Sequence, residues 1–207
     1  MKRNNFLIGL VLILGFGIQS AMAQKAEIHP YAGGFFPGTW ADSFKMKKEG
    51  IYGVRAGFFV ADQIQLEGNL GYINHFKFEG TAPKSRAFVW DVGPSFNFLN
   101  QGFSKAVPYL SVGVGGVTGV VGKVTDIVAT DPGDRVNLAP PGASPLILQD
   151  GDTFFQFNYG GGFKAINLWG PVGLRGDVRG RTLPNFFGDP VTWLEVSGGV
   201  TFTWGER

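Results

Sequence analysis

The stretch "VGLRGDVRGR" puts Arg175, Asp177, Arg179 and Arg181 at every second residue, with Leu174, Gly176 and Val178 on the alternate positions. That alternation is the period of a strand with one apolar and one charged face. Charges of both signs on one face either meet water or pair inside a closed space, and a closed space requires near balance. Acid–base or nucleophilic chemistry would need other groups. Only His29 and His75 offer an imidazole, and a hydrolase would need one of them beside a serine and a carboxylate. Asp42, Ser43 and Ser85 fall in loops on the side of His75, but no spacing singles them out, so no catalytic residue is assigned. Asp126, Asp131, Asp134, Asp150 and Asp152 share one long loop without the alternating spacing of a calcium loop, and "DPGD" reads as a turn, so no metal is expected. The run Gly160-Gly161-Gly162 is followed by no helix for a phosphate to cap, so no cofactor is expected either.

The elements that hold these residues follow a leader. Lys2 and Arg3 precede an apolar run from Phe6 to Ile18 and the small-x-small signal Ala21-Met22-Ala23. The run is shorter than the ~20 residues of a spanning helix, so residues 1–23 read as a secretory signal peptide and residues 24–207 as one domain. Without Lys2 and Arg3, the 18 basic residues fall to 16 against 16 acidic ones, leaving no basic field for nucleic acid. The chain lacks cysteine and is rich in glycine (33) and phenylalanine (20), which points to an all-β protein without a disulfide frame.

Eight alternating segments of about ten residues follow, the length of a tilted membrane strand: 26–36, 50–61, 63–76, 86–99, 106–119, 153–166, 171–181 and 192–204. Short links at 61–63, 100–105 and 167–170 alternate with long ones at 37–49, 77–85, 120–152 and 182–191. The pattern predicts an eight-stranded antiparallel up-and-down transmembrane β-barrel with both termini on the short-turn side. Bulk decides which face is inside. Phe58, Leu70, Trp90, Phe96, Phe157, Tyr159 and Phe163 share one face, whereas Gly53, Gly57, Asn69, Ser95, Ser111 and Gly113 share the other. An eight-stranded barrel has room only for modest side chains, so the aromatic face must look out into lipid. The charged face then lines the lumen, with Glu27, Glu67, Asp91, Asp177 and Glu195 against Arg55, Lys164, Arg175 and Arg179. Trp40, Tyr52, Phe76, Phe78, Trp169 and Trp193, near strand ends, fit interfacial girdles.

The last segment, "SGGVTFTW", carries Gly199, Phe202 and Trp204 in a pattern that resembles the C-terminal signal read by the barrel-assembly machinery. Together with "GGFKAINLWGPVGLRGDVRGR", it makes the chain similar to the small outer-membrane β-barrel family of OmpA-like and OmpX-like proteins. The resemblance implies assembly in a Gram-negative outer membrane and contact with its lipid, but no particular activity. The expected role is non-enzymatic: a rigid barrel presenting surface loops for envelope or cell-surface interaction. A narrow diffusion pore and, further off, a lipid-modifying enzyme are the alternatives. The longest loop starts at Val120, ends at Asp152 and is the candidate for a surface ligand, with the apolar run Pro145, Leu146, Ile147 and Leu148 as its contact patch.

Overall fold

A computed structural model describes residues 25–41, 44–79, 85–99, 106–121, 135–139 and 144–205. Eight long strands form a closed antiparallel barrel: β1 (Ala26–Pro37), β4 (Glu49–Phe59), β5 (Ile64–Ile73), β6 (Ser85–Asn97), β7 (Ala106–Val121), β10 (Thr153–Trp169), β11 (Val172–Phe186) and β12 (Asp189–Trp204). Each pairs with its neighbour in sequence, and β12 returns to β1 through a register that includes Ile28↔Phe202 and Phe36↔Leu194. Closure leaves no strand edge unpaired in lipid. Short pairs β2 (Thr39–Trp40) with β3 (Phe44–Lys45), and β8 (Arg135–Asn137) with β9 (Ile147–Gln149), sit on the long-loop end.

Parity sorts the side chains. Phe58, Leu70, Trp90, Leu110, Val112, Phe157 and Phe163 are exposed on the outer surface, whereas Arg55, Glu67, Gln156 and Lys164 are buried inside. Near the long-loop end this order inverts. Inward positions become apolar (Phe35, Ile51, Val89, Val117, Leu183, Val191 and Trp193, all 0 or 1% exposed), while outward positions become Arg86, Thr118, Thr182 and Thr192. The physical reason is the solvent. At lipid level the outside is oily and the inside must hold the polar groups; above it the outside is water, and burial of apolar area takes over.

That inversion corrects three expectations. Trp40, Phe76, Phe78 and Trp193 do not line an interfacial girdle but are buried in the apolar cap, while Tyr52 and Trp169 do face outward. The link expected at 182–191 is mostly strand: β11 runs to Phe186 and β12 starts at Asp189, joined by the two residues Phe187 and Gly188 with φ of 53° and 98°. Two successive positive φ values mark a type I′ turn, whose twist suits a tight hairpin. The run at 145–148 is not uniformly exposed. Leu146 and Leu148 are buried in the cap, and only Pro145 and Ile147 face solvent, because β9 alternates like any strand lying on a core.

The barrel is narrow enough for backbones to touch across strands. A Cβ on Gly115 would lie 1.9 Å from the Trp90 carbonyl oxygen, whereas one on Gly176, on the outer surface, would meet nothing within 4 Å. Gly115→Ala therefore costs about 1–3 kcal/mol by overpacking, and Gly176→Ala changes stability by less than about 0.5 kcal/mol. Urea titration read by the mobility of unboiled samples in SDS gels checks both values.

Candidate functional site

The side chains that fill the lumen form a ladder on β11. Arg175, Asp177, Arg179 and Arg181 point inward at successive rungs, each buried to 3% exposure or less. Their partners come from across the barrel. Glu67 on β5 receives Arg175 Nη1 and Arg179 Nη2, each at 2.5 Å. Asp177 receives Arg55 Nη1 from β4 at 3.0 Å, Arg179 Nη2 at 3.1 Å and the Tyr109 hydroxyl from β7. Arg55 continues to Glu195 on β12, which also accepts from Arg181 Nε at 2.8 Å. Arg181 Nη1 reaches Asp91 on β6 at 2.5 Å, and Asp91 accepts from Asn69, whose carbonyl oxygen accepts from the Tyr31 hydroxyl. The Arg55 guanidinium lies 3.8 Å over the Tyr31 ring.

Nearer the termini, Lys164 Nζ donates to Glu27 at 2.7 Å and to Gln65 at 2.8 Å. Gln65 Nε2 donates in turn to Glu27 at 3.0 Å, so the trio ties β1, β5 and β10 together.

All nine charged residues assigned to the lumen from sequence are buried there, and the structure adds two members. Arg181 makes the balance five acids against five bases. It is the last residue of the segment expected at 171–181, and β11 continues past it to Phe186. His29 shares the parity of Glu27 and is 1% exposed, with Nδ1–H donating to the Val200 carbonyl at 2.9 Å and Nε2 3.6 Å from Asp177. Its parity with Glu27 was the available signal.

The catalytic constellation weighed around His75 does not assemble among the described residues. His75 Nδ1 lies 3.4 Å from Glu49, but Ser85 is fully buried and its hydroxyl donates to the Phe76 carbonyl. Asp42, Ser43, Asp126, Asp131 and Asp134 lie outside the described residues, as do residues 1–23. Asp150 and Asp152 have backbone duties: the Asp150 carboxylate accepts the N–H of Val121 at 3.0 Å, tying the turn after β9 to β7, and the Asp152 carboxylate accepts the N–H of Gln149 at 2.8 Å within that turn. On β12, Gly199 closes against the Pro30 carbonyl, where a Cβ would come within 2.1 Å, while Phe202 and Trp204 stack with ring centroids 6.2 Å apart.

A closed eight-stranded barrel with an apolar outer belt and a lumen of paired charges is a transmembrane barrel of the bacterial outer-membrane type. The chain belongs to the family of the outer membrane protein beta-barrel domain, which matches residues 8–198, and its place is the outer membrane of a Gram-negative bacterium, in contact with lipid. In fold it is similar to Neisserial surface protein A, with 15% identity, a TM-score of 0.60, and coverage of 86% of this chain and 96% of that one. It is also similar to OprG from Pseudomonas aeruginosa (10% identity, TM-score 0.59, 89% of this chain and 98% of that). The N-terminal β-barrel domain of Pseudomonas aeruginosa OprF aligns at 16% identity and a TM-score of 0.51, over 87% of this chain and 97% of that. No curated protein matches the sequence.

Buried ion pairs hold strongly only while both partners remain, because a lone buried charge keeps its full desolvation cost. The Lys164–Glu27 pair makes this testable. Lys164→Met alone is expected to destabilise the barrel by about 3–5 kcal/mol, and Lys164→Met combined with Glu27→Gln by clearly less. Urea unfolding in detergent measures both, and equal losses would remove the pair from the account.

Proposed function

We propose that the chain is a non-enzymatic outer-membrane protein whose barrel is a rigid mount for surface elements that contact another envelope or cell-surface component. One observation carries this reading: the lumen is occupied by side chains from end to end. Lys164, Glu27 and Phe59 fill the terminus end, the β11 ladder fills the middle, and Phe35, Trp193, Leu148 and Phe186 fill the loop end. Such packing supports a plugged barrel over a diffusion pore, which would need a continuous wet path. A buried Ser85 supports a non-enzymatic role at the His75 rim.

The loop end supplies the presenting surface. The β8–β9 ribbon lies on the cap through Leu138, Leu146 and Leu148 and turns Pro145 and Ile147 outward. The surface ligand is proposed to bind within residues 120–152, at Pro145 and Ile147. Residues 1–23 would direct export, and Gly199, Phe202 and Trp204 on the closing strand would be read by the barrel-assembly machinery.

Two measurements test the proposal. The refolded protein is expected to give no single-channel steps in a planar bilayer and to leave the lipid A mass spectrum unchanged; sustained steps or an altered lipid A would overturn it. Because the chain has no cysteine of its own, Ile147→Cys should react with a membrane-impermeant maleimide on intact cells. Leu148→Cys should stay protected until the protein is unfolded.

A further inference from the structure

The barrel wall has one seam where backbone pairing stops early. The ladder between β10 and β11 ends at Phe157↔Thr182, yet β10 continues to Thr153 and β11 to Phe186. Above that level β10 pairs only with β7, and β11 only with β12. Pro184 stands on the β11 side of the seam and has no N–H to offer, so the ladder cannot resume there.

Rings close the wall instead. Phe154 meets Phe186 and Phe187 with centroids 4.7 Å and 5.0 Å away. Phe187 occupies the left-handed position of the type I′ turn, where asparagine or glycine is the ordinary choice and an aromatic residue is strained. Its ring contacts with Phe154 and Phe186 offset that strain. A groove of about 370 Å³ opens outward along the seam, lined by Thr153, Phe154, Phe155, Pro184, Asn185 and Phe187.

The groove also breaks the polarity pattern of its level. Beside Thr182 of β11 the outward residue of β10 is Phe157, and Phe155, 50% exposed, continues that face with Tyr159, so the outward row of β10 turns polar only at Thr153, opposite Thr118. The apolar belt that meets lipid therefore runs up into the seam without a break.

We propose that this seam seats a single acyl chain of an outer-leaflet lipid, held against Phe154, Phe155, Pro184 and Phe187 with its ester or hydroxyl group beside Thr153 and Asn185. Continuity with the lipid-facing belt selects a membrane lipid over a water-borne ligand, and the volume suits one chain rather than a whole lipid. Thr153 supplies a hydroxyl already linked to Thr118 at 2.9 Å, and Asn185, whose carbonyl oxygen accepts the Gly188 N–H, brings an amide NH2 donor.

The test places the photoreactive residue benzoylphenylalanine at position 184 of the whole protein, reconstituted in vesicles of lipopolysaccharide and phospholipid. After illumination, intact mass should report a lipid adduct, as it does for the same residue at the belt position Leu110. Adding Phe187→Asn, which suits the turn, should cut the adduct at 184 by about tenfold and leave that at 110 unchanged. Gel mobility confirms folding of each variant, and position 155 replaces 184 if the latter fails to fold. A cross-linked dimer, no lipid adduct at 184, or a yield indifferent to Phe187→Asn would each overturn the proposal.

Discussion

Everything in this barrel depends on the requirement that charges withdrawn from water be paired. Five acids and five bases occupy the lumen, and each base has at least one carboxylate within 3.0 Å. The partners are distributed so that β11 supplies four of the ten, β4, β5 and β6 answer across the lumen, and β12 answers from alongside. Backbone ladders join only neighbouring strands, but the bridges from β11 to β4, β5 and β6 join strands that never pair in the sheet. Cross-section is thereby set by charge pairing, and the ladder cannot flatten or change strand number without stranding a charge.

Glycine makes that arrangement geometrically possible. Arginine is the longest side chain in the lumen, and four of them share it with Tyr31 and Tyr109. Space for them comes from strands on which glycine faces inward: β6, β7 and β10 present Gly93, Gly113, Gly115, Gly160 and Gly162, and β4 and β12 present Gly53 and Gly199, where a Cβ would strike backbone or side-chain atoms within 2.7 Å. The lumen so crowded admits Tyr31 and Tyr109 beside the arginines, while Trp90, Phe96, Phe157 and Phe163 face outward at lipid level.

Much of this was legible as parity. Period-two alternation identifies a strand and assigns its faces, so the strand count, the closure and the inward row from Arg175 follow from residue types alone. Parity carries no information about height. Trp40, Phe76, Phe78 and Trp193 looked like girdle residues because aromatic side chains near strand ends usually are, and nothing local says that a loop will fold back to bury them. The tip at Phe187 and Gly188 was hidden for a related reason. Its turn lacks the usual asparagine, since the ring is needed against Phe154 and Phe186, and a tertiary contact outweighs local turn preference.

The inversion of polarity along each strand carries the argument furthest. On β11 the inward row passes from Arg181 to Leu183, while the outward row passes from Val178 to Thr182. On β12 Glu195 gives way to Trp193 inside as Leu194 gives way to Thr192 outside. The outward rows of these neighbours switch at the same ladder step, Thr182 opposite Thr192, and their inward rows within one rung, Arg181 opposite Trp193. A single protein thus uses two opposite solvation rules, a lipid-solvated one below the step and a water-solvated one above it. The step marks the outer edge of the hydrocarbon without reference to any lipid. Below it the lumen charges give the barrel a fixed bore. Above it an ordinary hydrophobic core, built from the strand ends, the short ribbons and the segment around Phe76, anchors whatever the loops display. A loop rooted in such a core keeps its geometry while its exposed residues vary, which is what the proposed mounting role requires.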